Sequence, residues 1–460
     1  MRPYDELQTA RLIGMRYETV ELEIDVSELR VGMHVVRLDR PWEDTDFLIQ
    51  GFVVQRQEDI DALQSQCRRV VIEGKVKNTE PDISQRKSRT SAKSRFSMFH
   101  GPTSEQEISN RPQEPIAETG NSRSRQRITY INKVSVDREI RKASGHYAEA
   151  KSFADSIMSG LRVGRTLDLN KAREVVDNCV DSILRNEDAL LLLTKLKNKD
   201  KYTAEHSLNV SILSAAFGKK LGLLEEEIRS LGLAGLLHDI GKAKVPVDLL
   251  QKPGPLTPEE HGIMQNHANW GRDMLMALPR VVHAAVDVAY NHHERLDGRG
   301  YPRGLVDSQI PYFAKIVAIV DTYDAITSNR AYDRARSSRE ALEIIHRFRG
   351  IQFDPELARE FVLLIGIYPP GAIVEMKSGE VAIVIGSNPK NRRKPKVVLV
   401  RDENKQRPAK YRLLDLQTEP LNSVGEPFEI IKEVPDGTYG IVLQRFIDNG
   451  LTLELNDASV

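Results

Sequence analysis

The 460-residue sequence predicts a mainly α-helical protein, with a small α+β module toward its N-terminus and a small β-rich module toward its C-terminus. Three observations carry this. Apolar residues recur at helical spacing through residues 134–365. Short alternating runs bounded by turn residues occupy both flanks. A polar, serine-rich stretch separates the first flank from the helices.

Bulk composition bounds the rest. Apolar residues make up 40% and charged residues 29%, ordinary for a folded protein of several domains. Sixty-six Lys and Arg balance sixty-six Asp and Glu, so bulk charge gives no case for nucleic acid or an anionic membrane as partner. Two cysteines far apart in sequence, Cys67 and Cys179, exclude a disulfide framework and suit a reducing compartment. The apolar run "FVLLIGI" falls far short of the ~18 residues that span a bilayer. The first residues are charged throughout and lack a signal-peptide core. The expectation is a cytoplasmic protein.

In residues 1–78, "VELEIDVSEL" alternates as a half-buried strand does, and "VGMHVVRL" offers a second strand. "QRQEDIDALQSQC" predicts a short helix with Ile60 and Leu63 on one face, and "RRVVIEG" a closing strand. Residues 79–133 change character. From Ser84 to Tyr130 there are nine serines, nine Lys or Arg and four Asp or Glu, with few large apolar residues. Such a segment cannot bury enough surface to offset the entropy of ordering, so a disordered basic linker is expected.

Residues 134–365 predict seven or more helices. "AREVVDNCVDSILRNEDALLLLTKL" keeps helical spacing over several turns. "SLNVSILSAAFGKKLGL" does so again and reaches Gly222, which suits a helix end. "EEEIRSLGLAGLLHDIGK" starts acidic, favouring the positive end of the helix dipole. Its Gly232, Ala234 and Gly235 allow close helix contact. In residues 366–460 a hairpin is expected around Ser378–Gly379, a strand at "KPKVVLV", and a final strand and turn at "TYGIVLQRFIDNG".

Of eleven histidines, five fall in the helical region near carboxylates: His206, His238 beside Asp239, His267, and the pair His292–His293. Asp321 follows in "IVAIVDTYDAITSNR". A lone helical histidine is more often a core or surface residue than a ligand. The adjacent pairs change that balance, because ionisable neighbours on an apolar helix need a metal or a hydrogen-bond network. Successive helical residues diverge by about 100°. His292 and His293 therefore suit two neighbouring ions, or an element end where the backbone opens. Mixed imidazole and carboxylate donors fit Mn, Fe or Zn better than Mg or Ca. Two such ions side by side suit phosphoester hydrolysis, where they share a hydroxide and clamp phosphate oxygens.

The segments "HDIGK" (238–242), "HHERLDGRGYPRGL" (292–305) and "IVAIVDTYDAITSNRAY" (316–332) together resemble the HD-GYP family of cyclic di-GMP phosphodiesterases. The resemblance covers residues 195–365, and the stretch "VSELRVGMHVVRLDRPWEDTDFLIQGFVV" resembles a module of unknown function that often precedes such domains. It implies an all-helical HD-type bundle and metal ligation by His206, His238, Asp239, His267, His292, His293 and Asp321, with Asp239 bridging. It implies catalytic roles for Asp239 and Lys242 and substrate contacts from Lys242, Tyr301 and Arg330. Lys242, four residues after His238, is expected on the same helix face. Glycines 298, 300 and 304 are expected to bring loop backbone close to the nucleotide. Glu294 is expected to orient a histidine, while Asp297 and Asp324 read equally as caps or as site residues. Some members add a third ion through a glutamate one turn before the first histidine. Tyr202 stands there, so two ions are expected, Fe or Mn.

The implied reaction is hydrolysis of cyclic di-GMP to linear pGpG and onward to GMP, in bacterial signalling. A related cyclic dinucleotide is the neighbouring reading. A catalytically silent binder or scaffold is the alternative from another class, and retention of all seven ligand positions argues against it. Further implied partners are diguanylate cyclases or other signalling proteins and a second copy of the chain.

Overall fold

In a computed structural model the described residues are 17–40, 52–54, 57–77, 127–196, 202–252, 254–328, 336–388, 391, 393–408 and 410–448. They form two compact units, Met1–Gln126 and Arg127–Val460. Among them, no helix is long and apolar enough to cross a membrane.

The first unit is an antiparallel sheet with one helix. Strands β1 (Tyr17–Asp25), β2 (His34–Leu38), β3 (Phe52–Val53) and β4 (Arg69–Lys77) lie in the order β1-β4-β2-β3, and α1 (Gln57–Gln66) precedes the last strand. Val35, Val70 and Ile72 from the sheet close on Ile60 and Leu63, which share the apolar face of α1.

The second unit begins earlier than composition suggests. Residues 78–126 lie outside the described residues, but 127–133, expected within the linker, run along the helical bundle. Ile128 N–H donates to Gly222 O at 3.0 Å, and Tyr130 OH to Leu223 O at 2.8 Å. A side chain at Gly222 would meet the Ile128 carbonyl at 2.7 Å, so the glycine that ends a helix also seats this segment.

The bundle comprises α2 (Val136–Arg162), α3 (Leu169–Leu193), α4 (Tyr202–Lys220), α5 (Glu225–Leu237), α6 (Val247–Leu250), α7 (Pro258–Gln265), α8 (His267–Met276), α9 (His283–Asn291), α10 (Tyr312–Thr327), α11 (Ser338–Arg347) and α12 (Pro355–Ile365). Caps mark several starts: Thr257 with Glu260, Ser337 with Glu340, and Asp354 before Pro355. The run expected as one helix in α3 breaks at Asn186, whose backbone is extended (φ −164°, ψ 110°). Asn186 Oδ1 accepts from Asp188 N–H and so starts the second half. Gly235 of α5 packs on the α4 backbone at Ser211, and Gly232 packs on Val176 of α3.

Five antiparallel strands follow: β5 (Ile373–Met376), β6 (Val381–Gly386), β7 (Lys396–Arg401), β8 (Arg412–Asp415) and β9 (Ile430–Val434), in the order β8-β7-β6-β5-β9. The β5–β6 hairpin turns at Ser378–Gly379, with Gly379 at φ +102°. The expected final strand near the C-terminus is instead a 3-10 turn, Thr438–Gly440, and helix α13 (Leu443–Asp448). Leu443, Phe446 and Ile447 are buried at helical spacing, which the short apolar run concealed.

Candidate metal centre

Four helix ends and one helix middle supply the site. His206 lies in the first turns of α4. His238 caps the C-terminus of α5, and Asp239 starts a 3-10 turn, Ile240–Lys244. His267 opens α8, and His292 caps the C-terminus of α9, with His293 next. Asp321 projects from α10, an apolar helix buried along most of its length.

Donor atoms converge in two groups that share Asp239: Asp239 with His267, His292 and His293, and Asp239 with His206 and His238. Within each group they lie within 4.8 Å of one another. His267 Nε2 is 3.4 Å from Asp239 Oδ1, and His238 Nε2 is 3.2 Å from Asp239 Oδ2. Asp321 Oδ1 flanks the second group, 3.0 Å from His206 Nε2 and 3.9 Å from His238 Nε2.

The histidine tautomers follow from the backbone. His238 Nδ1 lies 2.7 Å from Gly235 O, His267 Nδ1 2.6 Å from Met264 O, and His292 Nδ1 2.9 Å from Val288 O. A carbonyl oxygen only accepts, so each Nδ1 carries the proton and each neutral Nε2 turns a lone pair inward. Those three Nε2 atoms and Asp239 Oδ1 are buried without a hydrogen-bond partner. Orphaned buried acceptors facing one another are costly unless a cation meets them, so the residues fit a metal.

Electrostatics agrees. Burial opposes the Asp239 charge, but the Lys242 ammonium beside it leads the interactions that hold the carboxyl well below its usual range. Asp321 is likewise held low against burial, chiefly by its hydrogen bond with His206. Burial pushes His267 down to about 4, and pushes His293 well below the usual imidazole value. Burial also opposes charge on His206, but hydrogen bonds with Asp321 and Asp324 lift it to about 9. A proton there competes directly with a metal ion.

The family model for the HD domain matches residues 187–357, and that for a domain of unknown function (DUF3391) matches residues 21–172. The chain is 35% identical over 395 residues to the cyclic di-GMP phosphodiesterase PA4108 of Pseudomonas aeruginosa, covering 85% of this chain and 88% of that protein. The chain belongs to the HD-GYP family of phosphodiesterases. It is also 39% identical over 159 residues to 3'3'-cGAMP-specific phosphodiesterase 1 of Vibrio cholerae, covering 34% of this chain and 36% of that one. Among solved structures it is similar to an HDG"Y"P protein from Bdellovibrio bacteriovorus, at 16% identity and a TM-score of 0.41, covering 74% of this chain and 98% of that one.

Several expectations for this HD-GYP chain change in three dimensions. His292 and His293 fall in one donor group, and of the two expected arrangements the one found is the element end where the backbone opens. Helix α9 ends at Asn291, the backbone opens, and the two rings come to 4.0 Å between centroids. Lys242 does not share a helix face with His238, because α5 stops at Leu237 and tightens into the 3-10 turn. There Lys242 pairs with Asp239 three residues back. Glu294 orients no histidine: its buried carboxylate accepts Arg303 N–H and Leu305 N–H, each at 2.8 Å, and staples the loop. Asp297 is a turn residue, bonded to Arg295 and to Arg299 N–H.

Gly300 is required within the loop itself. A side chain on Gly300 would meet Glu294 Cα at 2.5 Å and His293 O at 2.6 Å. The close approach is therefore of the loop to its own histidine turn. This seats Tyr301 on His293, rings stacked at 4.6 Å, with burial pushing the phenol's pKa up. Arg330 lies outside the described residues.

Three site residues escaped the sequence reading or stayed ambiguous in it. Asp324 Oδ2 is 2.8 Å from His206 Nδ1, so this carboxylate takes the place at His206 that a backbone carbonyl takes at His238, His267 and His292. Asn209 Nδ2 donates to Asp324 Oδ1 at 3.2 Å. Gly241 is the third: a side chain there would fall 1.9 Å from His267 O, so only glycine lets the 3-10 turn rest on α8. The i, i+3 spacing of Asp321 and Asp324 was the available signal for the first.

Proposed function

We propose that the chain hydrolyses a 3′–5′ phosphodiester of cyclic di-GMP to linear pGpG, with GMP as the later product, and that two divalent ions, Fe or Mn, reside in the site. The observation that carries this is the pair of donor groups sharing Asp239, each with inward-facing imidazole nitrogens. The donor chemistry favours borderline transition metals over Mg or Ca. His206, His238 and Asp321 with Asp239 would hold one ion; His267, His292 and His293 with Asp239 the other. When bound, such ions polarise the phosphoryl group and supply a nucleophile at neutral pH.

The chain's own residues do the positioning. Asp239 presents one carboxylate oxygen to each donor group, which sets the spacing between them. Lys242, paired with Asp239, brings a positive charge to the rim, where a non-bridging phosphate oxygen takes a charge-assisted hydrogen bond. Tyr301, stacked on His293, offers an aromatic wall with a polar tip for the nucleotide, and Arg330 a guanidinium for phosphate or base. A related substrate, 3'3'-cGAMP, is the second reading, favoured by the similarity to the Vibrio cholerae enzyme named for it.

The test is product chromatography on metal-loaded, anaerobically purified protein given each dinucleotide separately. Linear pGpG from cyclic di-GMP, lost in Asp239→Ala, supports the reading. Tight binding without product sinks the enzyme reading in favour of a silent binder, and turnover of cGAMP alone sinks the substrate. The same reading carries a cytoplasmic location, a homodimer and contacts with diguanylate cyclases or other signalling proteins. Fractionation, light scattering and pull-down test these in turn.

A further inference from the structure

Lys195 has no part in the chemistry above, yet it stands where three parts of the second unit meet. It follows Thr194, the C-cap of α3. Its stem packs against the start of the β-rich module, since a side chain on Gly371 would fall 2.8 Å from Lys195 Cγ. Its ammonium donates to Ser338 Oγ at 2.6 Å and to Tyr323 OH at 3.4 Å, and Tyr323 OH donates to Ser338 Oγ at 3.2 Å. Ser338 and Tyr323 are both buried, the first opening α11 and the second on α10 between Asp321 and Asp324.

We propose that Lys195 is a positioning residue for the His206 half of the metal centre, and that Glu433 of strand β9 supplies the counter-charge that holds it in place. Two routes run inward. Through backbone, Thr194 O accepts from Asn209 Nδ2 at 3.4 Å; Asn209 also holds Asp324, and Asp324 holds His206. Through side chains, Lys195 ties Tyr323 to Ser338 and so fixes the turn of α10 that presents Asp321 and Asp324. Charge links both ends. Burial pulls the Lys195 ammonium down, and the carboxylates of Glu433 and then Asp324 act against that loss. Glu433 meets Lys195 at Ser338: its carboxylate accepts the Ser338 N–H while Lys195 donates to Ser338 Oγ. Burial pushes Glu433 up, with Lys195 and that N–H opposing, and its Oε2 is enclosed without a hydrogen-bond partner. Neutralising Lys195 removes a cation that interacts with both Glu433 and Asp324, and Asp324 is the carboxylate that orients His206. The β-rich module is in this view a part of the catalytic unit.

The proposal rests on the reading that the His/Asp cluster binds metal, and the experiment separates the two. Metal-free full-length protein is titrated with Co2+, following the visible absorption of the bound ion, for the parent, Lys195→Met, Lys195→Arg and Glu433→Gln. The parent titration tests the metal reading itself. Relative to it, Lys195→Met weakens one binding step about tenfold, the low end for outer partners of metal-bound histidines, and shifts that step's spectrum. The other step is unchanged, and kcat falls with KM unchanged. Lys195→Arg restores part of the step, and Glu433→Gln weakens the same step by about threefold. Identical Co2+ steps and spectra in Lys195→Met and Glu433→Gln overturn the proposal. So does equal weakening of both steps with a lower melting temperature. Where Lys195→Met does not fold, Glu433→Gln, which keeps shape and removes only charge, decides alone.

Discussion

Gly241→Ala puts the packing of the centre to the sharpest test. The added methyl would fall 1.9 Å from His267 O, 2.5 Å from Gly271 N and 2.9 Å from the His267 carbonyl carbon. All three are backbone atoms, so no side-chain rotation relieves the clash. Carbon–oxygen contacts settle at about 3.3 Å or more, so the 3-10 turn and α8 must part by roughly 1.4 Å. Asp239 begins that turn and His267 begins α8, at present with Oδ1 and Nε2 3.4 Å apart. Their donor group therefore opens. A displacement of this size costs about 100-fold in rate, and overpacking costs about 1–3 kcal/mol of stability. The assay is kcat/KM on cyclic di-GMP beside metal content and thermal unfolding. Activity within threefold of the parent, with metal content kept, would refute the argument that only glycine permits this contact.

Asp324→Asn keeps the shape of the His206 partner and removes its charge; metal affinity measured by chelator competition falls about 10- to 100-fold. Glu294→Ala frees the N–H groups of Arg303 and Leu305, so the loop bearing Tyr301 loosens and KM rises more than kcat falls in steady-state kinetics. Burial, then the Glu187 charge, raises Asp188 to about 7, from an ordinary value of 3.8. A raised carboxyl binds its proton better folded than unfolded. Stability therefore declines as pH rises from about 4 to about 7, by on the order of 4 kcal/mol at most. Asp188→Asn flattens that decline, read as the difference in denaturation midpoint between pH 5 and pH 8. An unchanged slope would show that Asp188 is not its source.

The donor types and their order were legible along the chain. Ligand chemistry belongs to single side chains, and adjacent pairs such as His238–Asp239 and His292–His293 are improbable on buried helices without a task. The α1 face at Ile60 and Leu63 and the β5–β6 turn at Gly379 were legible too, because helical period and turn chemistry are local. Local pattern misled where competing periods overlap, as in the short run that became α13. It also misled where one side chain overrides propensity, as at Asn186.

What the chain alone could not disclose depends on which elements touch. His206 and Asp324 are 118 positions apart, and nothing in either segment names the other as partner. Gly241 reads as an ordinary loop glycine until α8 lies 1.9 Å from its missing side chain. Lys195 reads as a surface lysine until α10, α11 and the β-rich module close around it. Sequence supplied the imidazoles and carboxylates that converge, because side-chain chemistry is written in residue type. Tertiary structure decided their tautomers, spacing and supports, because hydrogen bonds and excluded volume act between segments that meet only when the helices pack.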